Sequence, residues 1–292
     1  MRRAMTLTLA LTLIIVAVSE VLFYPIALSG LGMFLVFYAP AVLFAFVLFE
    51  RSGARDWGAM ALAAAVLGWL IEGVIVFQSY EAVPWSLVWT ALAWHGVISI
   101  GVGVIGVRHA LLSRRVWIAP VVCAALGAAF GIWGAYGWTF LAPDLATSHG
   151  FGVQVVAAAV MLGLGHAVLD VVPEGPVVPG WVMWGLAGLA ALVWALAWAV
   201  PYAPISALVP ILIGVSVWAL WRRRTPAEAV AFGRIGARVG WIALIPAVAI
   251  PVQRAVFGAG WVVELNWIIA GPTALLGVGL WGAAVVRGVL RR

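Results

Sequence analysis

The sequence predicts an all-α, polytopic membrane bundle of about ten transmembrane helices with both termini on the inner side, and three observations predict it. The 292 residues are 66% hydrophobic and only 9% charged, where soluble domains run to roughly 45–50% apolar. Apolar stretches of about 20 residues recur along the chain, the length that crosses a bilayer as a helix. The short alternating strands of a membrane barrel are not visible. All 16 basic residues are arginine, and their placement alternates with the stretches.

Taken in order, the segments run roughly 5–28, 31–49, 57–78, 87–107, 116–142, 151–172, 180–199, 204–221, 239–257 and 262–286. The first opens like a secretory signal peptide, "MRRAMTLTLALTLIIVAVSE", with a small-residue cleavage site ending at Ser19. The apolar run continues through "VLFYPIAL", which predicts a retained helix. Pro210, Pro246 and Pro251 interrupt the eighth and ninth segments, and such prolines are tolerated where neighbours satisfy the freed carbonyls. With the N-terminus inside and strict alternation, every arginine except Arg254 falls on the inner side, as the positive-inside rule requires. The connection near 170–180 is the exception, because it carries Asp170 and Glu174 and no arginine.

The chain reads as one integral membrane domain, 1–292, with two candidate five-helix halves, 1–147 and 148–292, of the inverted kind that sequence comparison by eye rarely reveals. The longest polar piece is "RRRTPAEAVAFGRIGAR", 222–238. Its Thr225, Pro226 and Glu228 have the form of a capping box with proline at the first helical position, which predicts a short basic helix on the inner membrane surface. A plain charged connector is the competing reading.

Two patterns are better explained by packing than by chemistry. "GVGVIG", 101–106, matches a dinucleotide-binding fingerprint but lies inside a spanning segment, not at a strand-to-helix turn. Its glycines, like Gly127, Gly131 and Gly134, fit close helix contact. The lone Cys123 excludes an internal disulfide and a cysteine metal cluster. Trp85, Trp138 and Trp261 fall near the predicted outer boundary and read as interfacial anchors. The positive charge is topological, so no nucleic-acid partner is expected; the partners are the lipid bilayer of a plasma or inner membrane and a small-molecule or lipid-like substrate.

Function must lie with the ionisable residues inside the segments, which are costly in lipid and face the bundle interior. Glu72 lies about six residues, roughly 9 Å, from the outer end of the third segment, and His95 about 12 Å into the fourth from the same side. A short loop joins these segments, so the two are expected to meet as a proton or substrate site, or as a catalytic pair. Glu20 lies at similar depth in the first segment. Arg254, Glu264 and Asn266, near the outer ends of the last two segments, complete the expected substrate-binding set, with Arg254 placed to neutralise Glu264 or to reach Glu72. His95 and Ser99, four apart, extend the stripe inward. Burial favours the uncharged form of a carboxylic acid, which suits Glu72 to carrying a proton.

Three function classes follow. The ten segments, the inner termini and the lack of a soluble domain resemble the drug/metabolite transporter superfamily in layout, which implies a small-molecule transporter, with proton coupling through Glu72. The order Glu72, His95, then His166 and Asp170 four apart resembles the intramembrane CAAX-type proteases, which implies a membrane-embedded enzyme with these four as candidate metal ligands. The family's paired glutamates followed by arginine are absent, and His166 lies roughly 10 Å deeper than His95. The third class is a structural or cofactor-holding subunit. No cofactor is named: His95 has no second histidine at its depth for haem, His109 is on the inner side, His149 is in the outer loop "TSHG", and without lysine a retinal Schiff base is excluded.

Overall fold

The computed structural model describes residues 2–141, 148–227 and 229–290. Among these there is no strand, and ten helices are long and apolar enough to cross a membrane. They are α1 (Arg2–Val21), α2 (Leu28–Ser52), α3 (Trp57–Ile75), α4 (Trp85–Leu112), α5 (Ile118–Leu141), α6 (Gly150–Asp170), α7 (Gly180–Ala197), α8 (Ile205–Arg222), α9 (Gly236–Gly258) and α10 (Asn266–Leu290). Each corresponds to one predicted segment. Their outer faces expose large apolar side chains such as Val36, Leu196 and Leu275, as a multi-pass membrane protein requires. Glu228, Arg291, Arg292 and the side chain of His149 lie outside the described residues.

Pro210 and Pro246 lie where a tight helical turn, Ile205–Ala207 or Gly236–Ala243, passes into the α-helix Leu208–Arg222 or Leu244–Gly258. Pro251 lies inside its helix and does remove a bond.

Helices α1 to α4 make the densest part of the bundle. α1 packs on α2, α4 and α6, and α3 on α2, α4, α8 and α10. Gly68 lets α3 approach α4 so closely that a Cβ there would strike the Ala91 backbone. α5 and α9 form the most extensive pair, and a Cβ on Gly127 or Gly131 would meet the Ile245 or Ala249 carbonyl at 2.6 and 2.7 Å. The "GVGVIG" stretch is interior to α4, with Gly103 against Val18 of α1. Trp261 is exposed as an interfacial anchor would be, whereas Trp138 is buried edge-on against Phe151. α7 is peripheral, touching chiefly α2 and the end of α3.

The predicted basic surface helix does not form. Residues 223–227 and 229–235 form neither helix nor strand and cross the arginine-bearing end of the bundle as a strap. Tertiary partners take the backbone groups a helix would have used. The Thr225 amide donates to the Ser52 carbonyl at 2.8 Å, and the Val230 amide to Glu50 Oε1 at 2.8 Å. The Val230 carbonyl accepts from Arg3, and the Gly233 carbonyl from Arg108. The Ile235 and Gly236 amides donate to Asp170. Three ion pairs fasten this end: Arg3 with Glu50, Arg108 with Asp170, and Arg223 with Asp56. All three hold the strap, Arg223 as one of its own residues. They explain why the 170–180 connection needs no arginine of its own: Arg108 of α4 reaches Asp170 at 2.6 Å.

Candidate functional site

The opposite end of the bundle is built differently. Four neighbouring helices each contribute one polar side chain at the same level. Glu72 of α3 and His95 of α4 meet, with Nε2 and Oε1 2.6 Å apart and both side chains buried. Tyr38 of α2 donates its hydroxyl to Glu20 of α1 at 2.5 Å, and its ring lies edge-on to the His95 ring, centroids 5.9 Å apart. Glu20 is close enough to both Glu72 and His95 to interact with them electrostatically.

Backbone geometry places three of these four. Glu20 lies in a wide helical turn, Ala17–Val21, and Glu72 in another, Ile71–Ile75. The Leu22 amide reaches back five residues to Ala17, and the Val76 amide to Ile71. His95 lies in an 18-residue stretch of α4, Trp89–Gly106, with the same wide winding. Such widened turns concentrate at functional sites. They also free carbonyls from the α pattern, and aromatic donors satisfy them. The Tyr80 hydroxyl donates to the Gly73 carbonyl at 2.6 Å, the Trp198 indole to Val74 at 2.8 Å, and the Trp94 indole to Ser19 at 3.0 Å. Within this winding the Ser99 hydroxyl donates to the carbonyl five residues back, that of Trp94, at 2.9 Å.

Glu20, Tyr38 and Glu72 line a cavity of about 430 Å³. Aromatic rings supply much of the remaining wall, from Tyr24, Phe34, Phe37, Trp89 and Trp94. The cavity meets the surface beside Met33, Phe37 and Gln78, which are exposed. Two polar atoms of the cluster have no hydrogen-bond partner although buried, Glu72 Oε2 and His95 Nδ1. An unsatisfied buried polar atom costs about 1–3 kcal/mol.

No family model matches the chain, and no curated protein or solved structure matches it either. The site therefore has to be read from its own geometry.

That geometry separates the predicted residues into two groups. Glu20, Glu72 and His95 come together. Arg254, Glu264 and Asn266 do not line the cavity. Arg254 and Glu264 are exposed, and the four ion pairs among the described residues involve neither. Glu264 acts instead on Tyr136. Nearness to the outer ends of helices was their only warrant, and α10 meets α4 there through Trp267 against Trp85, not through a polar side chain in the cavity. Gln154, also near an outer end, is structural: it donates to the Val21 and Tyr24 carbonyls and accepts from the Ile26 amide, which closes the end of α1.

His166 and Asp170 do not form a ligand pair with Glu72 and His95. His166 Nε2 bonds the Gly103 carbonyl at 3.1 Å, and Asp170 is taken by Arg108 and the strap. Among the described residues no three of His, Cys, Asp and Glu gather as a metal-binding group. The resemblance to CAAX-type proteases thus stops at Glu72 and His95. Sequence reasoning missed Tyr38 and the aromatic wall. The signal for Tyr38 was there, because a tyrosine in the middle of an apolar helix needs a partner for its hydroxyl.

Proposed function

We propose that the protein is a small-molecule transporter whose substrate enters the cavity above Glu20, Tyr38, Glu72 and His95, with Glu72 and His95 exchanging a proton during the cycle. One observation carries this reading. The four helices that build the cluster also line a second, apolar cavity of about 170 Å³ directly below it, through Ile15, Val42, Leu67 and Ile100. Each of these residues is four or five positions from Glu20, Tyr38, Glu72 or His95, about 6–7.5 Å further along its helix. Val230 and Phe232 of the strap line that cavity and also a hollow at the arginine-bearing end, beside Arg3 and Asp170. The seam between α1, α2, α3 and α4 thus holds a polar-floored cavity, an apolar cavity and the strap in sequence. A substrate path through the bundle would have this series.

Both termini and the strap are assigned to the cytoplasmic side, on the arginine distribution.

The test uses proteoliposomes of the full-length protein with an entrapped pH-sensitive dye. Amino acids, sugars, organic anions and organic cations are supplied in turn under an imposed pH gradient. One class should collapse the gradient with wild type and not with Glu72→Gln. A gradient untouched by every class, or touched equally by the variant, would overturn the reading.

A further inference from the structure

We infer that the substrate class is a small organic cation carrying an alkylated ammonium group, an assignment that rests on reading the cavity as the substrate cavity. The lining has two carboxylates, Glu20 and Glu72, and no arginine, in a chain with 16 of them. Glu72 is 4% exposed, and its Oε2 is unpartnered. The nearest neutralising group is His95, and its one bond goes to the other oxygen, Oε1. An anionic substrate would bring its charge against two carboxyl groups in a low-dielectric enclosure with no arginine to receive it. A cation supplies the missing counter-charge.

The walls decide which cation. Phe34, Phe37, Trp89 and Trp94, with Tyr24 and Tyr38, share the lining with the two carboxyl groups. Trp89 and Trp94 meet edge-on with centroids 5.0 Å apart, and Tyr24 lies 5.4 Å from Trp94. A bare metal ion needs oxygen or nitrogen ligands in numbers that these walls do not offer. An alkylated ammonium has an apolar shell to bury against rings and a diffuse charge that aromatic faces attract, which is how aromatic cages hold choline-like groups. At about 430 Å³ the cavity falls within the range of small-ligand sites.

The experiment is saturation-transfer NMR on the purified full-length protein in detergent, with choline and with its uncharged isostere 3,3-dimethyl-1-butanol. Choline should bind and the alcohol should bind at least tenfold more weakly, since the two differ in charge and hardly in shape. Glu72→Gln and Glu20→Gln should each weaken choline at least tenfold, and Trp89→Leu about tenfold, the size expected of one cation–π contact. Equal binding of both compounds would make this a plain apolar pocket and overturn the assignment, as would binding of neither. If a variant does not fold, the isostere comparison on wild type still decides. Choline binding without any Glu72-dependent transport would leave the assignment standing and sink the transporter reading. Transport of another class with no choline binding would do the reverse.

Discussion

The two ends of this bundle use the same kinds of residue for opposite purposes. At the arginine-bearing end Glu50, Asp56 and Asp170 each meet an arginine, and two of the three are also bonded to strap amides. At the other end Glu20 and Glu72 meet no arginine, only a tyrosine and a histidine, and both line a cavity. A carboxylate held by arginine makes a fastening. A carboxylate without one, beside a cavity, makes a site that can change protonation or accept a ligand. The difference teaches that an intramembrane carboxylate should be judged by what it lacks as much as by its depth.

The sharpest break of the comparison is at Glu50, which is fully buried. Glu50→Ala leaves the Arg3 guanidinium buried without its charge partner and the Val230 amide without its acceptor. Removing one side of a buried pair costs about 3–5 kcal/mol. The expected result is loss of monodisperse protein on size exclusion, or a large drop in thermal midpoint. A variant as stable as wild type would show that the strap does not fasten this end.

At Glu72 the reverse is expected. Glu72→Gln keeps an oxygen to accept from His95 Nε2 and removes only the charge. Stability should stay within about 1 kcal/mol of wild type, the value of a single hydrogen bond, while proton-linked activity is lost. A collapse in thermal midpoint with this variant would assign the cluster to structure and erase the contrast between the two ends.

Sequence alone carried the fold a long way and the site only half way, and the reason is physical. Spanning helices have to be apolar for about 20 residues, so all ten segments were legible, as was the depth at which Glu20, Glu72 and His95 would meet. Azimuth was not legible. Whether a residue faces the cluster depends on which helices neighbour which, and Arg254, Glu264 and Asn266 share a depth with the site without sharing its face. The wide turns add a second obstacle, because no local pattern announces them and they change which carbonyls are left free, as at Gly73 and Val74. The strap was misread for a third reason: its local cap signal at Thr225 and Pro226 is outweighed by bonds to Glu50, Arg108 and Asp170, far away in sequence.

A gentler probe is Tyr38→Phe, which removes a single hydroxyl. Glu20 then loses the donor 2.5 Å away while the ring against His95 remains. A hydrogen bond to a charged group is worth about 1.5–3 kcal/mol, so substrate affinity should fall tenfold or more if that bond sets the position of the Glu20 carboxylate. Unchanged affinity and unchanged maximal rate would remove Tyr38 from the site.

The smallest effect sharpens the fastening side. Asp56 caps α3, accepting from the Ala59 amide at 2.9 Å, and pairs with Arg223. Burial by itself would raise its pKa, but the Arg223 hydrogen bond and the Ala59 amide outweigh it and hold the carboxyl below its ordinary value of 3.8. A depressed pKa adds stability that is fully present above that ordinary value and is lost as the pH falls through the depressed one. Asp56→Asn separates the two roles, because asparagine caps a helix as well as aspartate does but carries no charge. The Asp56 side chain is 45% exposed, so solvent screens the pair and the loss at neutral pH should be under about 1 kcal/mol. Thermal midpoints of wild type and variant should therefore differ slightly at neutral pH and converge once the wild-type carboxyl is protonated. A gap that persists undiminished into acid would mean that the capping geometry, and not the charge of Asp56, had been lost.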